Sequence, residues 1–458
     1  MHSAFDGSWL YSTSQTPLVA LAITIAGIGI LLSAIFLRRI LRDHYLRHRD
    51  LHVARIRRDW DRIINMEIPQ ETWMSDSLDR KIAEEMLLDR MDVADPSELI
   101  LFRQFIRSSG LLDRRIWEVR HYRGWRRRQA LLALGRMQIP EGIPAMIEAA
   151  TDRNPATLVD LIRGLGRIGI PQAAEPILEL VESGRISCPP QTLQVALVHC
   201  YRGQASPLLK KIPDSSDAFR PLLARVLAEV ADHTTTGDLS PLTMDPLAEV
   251  RACAARALGA VRPPNACATL MRLASDEEWF VRLRAVVALG ELADSASLRV
   301  LVGALCDSNR LVRLRAAAAL VRFEGKETKI FQLTIQTRDR YALQALVSEM
   351  ERSGRIPDLV NALADPDRRP VVEYALLAAL SGGSARLLVD LWLHHPDMYI
   401  RKRLARLLAR SGDRSLLQQL NQVSLTNATR QQVRMLLWLV VNLRKNITGV
   451  TSEPVVAA

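Results

Sequence analysis

Along most of this chain apolar residues recur three and four positions apart, the helical period. Asp, Gly or Pro interrupts them every dozen or so residues. In EVRACAARALGAV (249–261), Ala254, Ala257, Leu258 and Val261 fall on one stripe; in FVRLRAVVALGEL (280–292), Ala285, Ala288, Leu289 and Leu292 do the same. LVRLRAAAALVRF (311–323) is a third copy, and Arg251, Arg282 and Arg313 stand 31 residues apart. Six residues before each arginine is an aspartate: Asp245, Asp276 and Asp307. The apolar runs ACATLMRLAS and LRVLVGALC precede the second and third of these. The repeated unit is therefore helix, tight turn with Asp, helix, short break. No sustained alternating run of Val, Ile, Thr or Tyr suggests a strand, so the predicted fold is all-α.

Within the phrase D-x(5)-R-x-x-A-x-x-A-L-G each polar position has a physical use. The aspartate can cap the second helix by accepting its orphan N–H groups. The arginine, bordering the stripe, can pair with an aspartate of its own or the adjacent unit, giving a ladder through Asp245, Arg251, Asp276 and Asp307. Arg282 and Arg313 belong to R-x-R pairs with Arg284 and Arg315, and Arg401 with Arg403 repeats the pattern. Positions i and i+2 lie about 200° apart on a helix, so one member of each pair leaves the core boundary. Arg282, Arg284, Arg313 and Arg315 are the candidate partner-binding residues. The competing reading is a solvated face balanced by Glu277, Glu278 and Glu291.

These phrases resemble the HEAT-like repeat family, in particular bacterial units with a VRxxAxxALG second helix. The match is strongest at 250–259, 281–290 and 312–320. Fainter units lie at Asp152 with LVDLIRGLG, at 124–137, at 365–380 and at 399–412, so the resemblance covers about 99–446, weakest near 171–240 and 325–350. It implies an α-solenoid, a right-handed superhelix whose second helices line a concave face. It also implies an alternative function, because bilin lyases and alkylpurine DNA glycosylases are enzymes built from such repeats.

The first sixty residues follow a different pattern. The segment 17–37 has no charge. As a helix it is about 31 Å long, enough to cross a bilayer core. Eight arginines between Arg38 and Arg58 follow it, where the positive-inside rule places the cytoplasmic side. The expected layout is an outside N-terminus (1–16), a transmembrane helix (17–37), a basic juxtamembrane helix (38–68), a connector (69–98), the solenoid (99–446) and a loose tail (447–458), in a bacterial inner membrane. MLLWLVV at 435–441 is too short to span and reads as the closing helix. Ala22, Ala26, Gly29 and Ser33 share one face of the span, on which a partner's helix or a second copy can pack, although small residues are common in spans generally. The arginines can hold anionic headgroups. His44, His48 and His52 read as a solvated face.

Composition adds exclusions. Lys+Arg number 61 and Asp+Glu 50, a net charge of +11; 48% of residues are hydrophobic and 24% charged. The excess positive charge concentrates beside the span, and nucleic acid is not an expected partner. Five cysteines include no C-x-x-C pair. Neither a phosphate loop nor a G-x-S-x-G elbow occurs. GLGRIG (164–169) ends a repeat helix rather than following a strand, and His394–His395 sit in a turn without a matching acid. No catalytic residue, metal site or cofactor is expected. The expected function is a membrane-anchored, non-enzymatic scaffold that binds a membrane-associated protein partner, with envelope-glycan synthesis as one setting.

Overall fold

The structure, a computed structural model, describes residues 8–152, 154–184 and 188–411. The expected closing helix at 435–441 and the tail lie outside these residues. Among the described residues every regular element is a helix, and they form two compact units divided after Cys200.

The first unit begins with one uninterrupted helix, Ser8–Arg58. No Gly or Pro occurs between Gly29 and Arg58 to break it, so the span and the basic segment are one rod, about 75 Å long. The rod ends at Arg58 rather than near residue 68, and a short helix Trp60–Ile64 follows. Its last turns enter the unit's core: Ile56 is 2% exposed, and this part of the rod packs on helix Ser77–Met91. The next helix start follows from its sequence. Asp95 accepts the N–H groups of Ser97 and Glu98, both at 2.9 Å, and Pro96 takes the first helical position, where no N–H is needed. Farther on, helices Trp125–Met137 and Pro155–Ile168 meet glycine to glycine. A Cβ on Gly135 would lie 2.5 Å from the Gly164 carbonyl oxygen, so only glycine fits there.

The second unit stacks its longer helices in a row in which each touches the next: Ala248–Val261, Trp279–Leu292, Arg310–Leu320, Arg340–Arg352, Arg369–Gly382 and Met398–Ser411. Shorter helices, such as Ala266–Leu273 and Leu298–Ala304, pack against them. The A-L-G signature now has its reason. Val281, Ala285 and Leu289 are buried, as are Val312, Ala316 and Leu320, while the glycine lets the next helix approach. A Cβ on Gly259 would lie 2.9 Å from the Ala288 Cβ, and one on Gly290 would lie 2.5 Å from the Ala319 Cβ. In 325–350, where the phrase fades, a helix pair persists with bulkier packing: Ile330, Phe331, Leu346 and Met350 are buried.

Candidate partner-binding face and its ion ladder

The repeated arginine and aspartate meet across the boundaries between successive repeats of the second unit. Arg251 Nε and Nη2 donate to the two Asp276 oxygens at 2.8 and 2.9 Å; Arg282 does the same to Asp307 at 2.7 and 2.9 Å. In both arginines Nη1 donates backward to two carbonyls of its own turn: Asp245 and Pro246 for Arg251, Asp276 and Glu277 for Arg282. A guanidinium is a rigid fork, and this arrangement uses both its edges. Each aspartate also accepts the N–H two residues on, from Leu247, Glu278 and Asn309. Those are the N-cap residues themselves. The aspartate thus closes the turn ahead of the helix rather than capping it as expected.

Burial opposes ionisation of Asp276 and Asp307, but the arginine hydrogen bonds and the turn N–H outweigh it and hold both carboxyls below the usual range. Two looser ion pairs have the same sequence separation. Arg220 reaches Asp245 at 3.5 Å, and in the first unit Arg127 reaches Asp152 at 3.2 Å. Neither arginine stands four residues after its helix's N-cap, as the ladder arginines do, so the repeat phrase did not reveal them.

This geometry divides the four candidate arginines. Arg282, expected at the partner surface, belongs to the ladder: its side chain is 15% exposed and fully hydrogen-bonded to its own and the adjacent turn. Arg284 and Arg315 are exposed, and no carboxylate among the described residues pairs with either. Arg313 is half-buried, with Nη1 on the Asp307 and Ser308 carbonyls at 2.7 and 3.1 Å and no carboxylate partner among the described residues.

Sequence reasoning missed the apolar companions of the exposed arginines. Phe280, Leu283 and Arg284 lie at i, i+3 and i+4, which is one helix face. Leu311, Leu314 and Arg315 repeat the triplet one unit on, with the two leucines 51% and 44% exposed. Tyr341, 73% exposed, holds the first position on the following helix, where Gln344 and Ala345 replace the rest, and Tyr399, Lys402 and Arg403 form a similar group on Met398–Ser411. Arg403 lies 5.4 Å from the Tyr399 ring centre, a cation–π distance. The signal was present: an apolar or aromatic residue stands two residues after the N-caps Glu278, Asn309 and Asp339, and the full triplet follows the first two. It is weak because the residue identities vary.

Elsewhere the structure relocates or neutralises other candidates. The apolar part of the first helix is exposed and is long and apolar enough to cross a membrane as an anchor or a signal sequence. Ala26, Gly29 and Ser33 are exposed there, and a Cβ on Gly29 would meet nothing within 4 Å; the Ala22 side chain lies outside the described ones. Arg38, Arg39 and Arg42 are exposed just after it.

The solvated-face reading of His44, His48 and His52 fails for His52. It is buried, with Nδ1 2.6 Å from Asp79 Oδ1, because the rod's end packs on helix Ser77–Met91. His52, Asp76 and Asp79 each bring one ligand atom within 4.8 Å of the others. Arg55, 3.4 Å from the second Asp79 oxygen, already supplies the positive charge a cation would bring. His395 closes a turn: Nδ1 accepts the Asp397 N–H at 3.1 Å, so Nε2 carries the proton and faces Asn361 Oδ1 at 2.9 Å. Burial pushes the Cys200 thiol up to about 12 and the Cys253 thiol to about 11, so neither supplies a thiolate near neutrality.

These features define an all-α solenoid built from helix pairs joined by a recurring turn and an ion ladder between successive repeats. The HEAT-repeat profile matches residues 205–282, 239–321 and 270–345, and the profile of the PBS lyase HEAT-like repeat matches 126–152. The chain thus carries HEAT-like repeats over these stretches. No curated protein matches it. Among solved structures, an engineered protein aligns at 16% identity over 81% of this chain and 97% of its own, with a TM-score of 0.31. Human deoxyhypusine hydroxylase in complex with glycerol aligns at 16% identity over 60% of this chain and 97% of its own, with a TM-score of 0.24.

Proposed function

We propose that this chain is a single-pass membrane scaffold, without a catalytic role of its own, that docks a protein partner on the triplet face of its second unit. The observation that carries this reading is the split within the R-x-R pairs. The ladder neutralises Arg282, whereas Arg284 and Arg315 stand exposed beside apolar side chains. Arginine and aromatic residues with an apolar surround are the usual composition of protein-binding surfaces. The helix Ser8–Arg58 is the tether. Its arginines after the apolar stretch favour a cytoplasmic solenoid and an outside N-terminus, in a bacterial inner membrane. They can also hold anionic headgroups, at about 1 kcal/mol each. The small-residue face of the span offers a site for a partner's helix or a second copy. A membrane-associated enzyme complex, such as one making envelope glycan, is the kind of partner a tethered surface would organise.

The test is charge reversal at Arg284 and Arg315 together in the full-length chain, followed by affinity capture from membranes. The proteins that co-purify with the wild type should be lost, while the thermal midpoint stays within a few degrees. Undiminished capture would remove the face assignment.

A further inference from the structure

The ladder has an open end, and we propose that this end is a binding site for a carboxylate side chain of an acidic peptide segment. The inference rests on the docking face described above and gives it a specific anchor. It begins with register. The helices Ala248–Val261, Trp279–Leu292 and Arg310–Leu320 have N-cap residues Leu247, Glu278 and Asn309, each 31 residues after the last. The next N-cap is Asp339, one residue early. The position equivalent to Asp245, Asp276 and Asp307 is therefore Thr337, and not Arg338, to which the fixed interval points. Thr337 plays the aspartate's turn role: its Oγ1 accepts the Asp339 N–H at 3.3 Å. It has no carboxylate to give to Arg313.

Arg313 is nevertheless held as its two predecessors are. Nη1 is fixed on the Asp307 and Ser308 carbonyls, as Nη1 of Arg282 is on Asp276 and Glu277. In Arg251 and Arg282 the remaining edge, Nε with Nη2, grips a carboxylate bidentately. In Arg313 that edge has no hydrogen-bond partner among the described residues. The acid nearest to Thr337, Asp339, forms no ion pair with that edge; its Oδ1 accepts the N–H groups of Tyr341 and Ala342. The fork is thus pre-organised for a carboxylate the chain does not supply, which lowers the ordering cost of binding one. Arg313 lines a cavity of about 590 Å³ together with Arg310, Leu314, Tyr341, Gln344 and Glu351. Its polar groups include two arginines and one glutamate, so its formal charge favours an anion. Exposed Leu314 and Tyr341 beside it suit the apolar neighbours of an acidic side chain in a peptide better than a free small anion.

The experiment uses the full-length chain in lipid nanodiscs and a capped peptide of alternating leucine and glutamate, with the leucine–glutamine peptide as control. Binding is measured for the wild type, Arg313→Gln, Thr337→Asp, and the Arg284→Glu/Arg315→Glu chain. Thr337→Asp supplies the missing internal carboxylate and should fold at least as stably as the wild type, so a loss of binding there is not a loss of structure. The glutamate peptide should bind the wild type, and both Arg313→Gln and Thr337→Asp should weaken it about tenfold or more. Glutarate, as a free dicarboxylate, should compete poorly. Equal affinity for the two peptides, no wild-type binding at about 1 mM peptide, or glutarate competing as well as the peptide would each overturn the proposal. If Arg284→Glu/Arg315→Glu loses the peptide while Thr337→Asp keeps it, the Arg313 site is overturned and the docking face stands.

Discussion

The boundary between helices Trp279–Leu292 and Arg310–Leu320 and the next one, between Arg310–Leu320 and Arg340–Arg352, are built from the same phrase and end differently. At the first, Gly290 lets Ala319 come close and Arg282 grips Asp307 with both free nitrogens. At the second, the glycine position is Val321, the aspartate position is Thr337 and the turn is one residue shorter. Three departures coincide at one place. The first boundary shows what the phrase is for: small-residue contact plus a paired ion, repeated as a joint. The second shows what remains when the joint is relaxed, namely an arginine still aimed, a cavity beside it and apolar side chains at its rim. In a stack whose units stabilise only their neighbours, such a boundary is where binding chemistry can be exposed without breaking the rest.

The largest break in this comparison should come from crowding the tight boundary. Gly290→Val should cost about 3 kcal/mol or more, since even a Cβ there lies 2.5 Å from Ala319 and a β-branched side chain adds to it. The equivalent pair at the relaxed boundary already has Val321, so Val321→Ala should cost well under half as much. Both are read from urea unfolding of the full-length chain. Next in size, Asp307→Ala removes the carboxylate from a largely buried Arg282 and should cost about 2 kcal/mol, below the range for fully buried pairs because the pair keeps some solvent contact.

The same pairs set a pH dependence. Asp276 and Asp307 have folded values below their unfolded ones, so their contribution is complete above about pH 4 and is lost as pH falls through the folded values. Asp307→Asn should flatten the acid side of the stability profile, and an unchanged slope would count against the ladder. Smaller still, Thr337→Asp should raise stability by about 1 kcal/mol by completing the joint. Of similar size, Arg313→Gln should cost about 1 kcal/mol, because it loses the Nη1 bonds to the Asp307 and Ser308 carbonyls but no carboxylate.

Much of this was legible in the sequence. The helical period, the D-x(5)-R phrase and the charge-free run at 17–37 give the fold class, the ladder and a helix able to cross a membrane, because each is a local pattern repeated or sustained. What escaped was whatever depends on register or on distant packing. A fixed interval of 31 places Arg338 opposite Arg313, and only the early N-cap at Asp339 shows that Thr337 stands there. The D-x(5)-R phrase puts the first arginine of each pair at the stripe's border, but not its bonds; the backward bonds of Arg282 Nη1 to Asp276 and Glu277 take it out of the partner surface. His52 looked solvated because Asp79 is 27 residues away in the chain, across a helix packing the periodicity does not encode.

The central claim is that the two arginines of one R-x-R pair have separate employments, the first holding the stack and the second meeting a partner. The most direct test compares Arg282→Glu with Arg284→Glu in the full-length chain, by thermal unfolding and by affinity capture from membranes. The account expects Arg282→Glu to lower the midpoint by several degrees. It expects Arg284→Glu to leave the midpoint unchanged and reduce capture. Equal destabilisation by the two changes, or a stable Arg282→Glu chain, would contradict it.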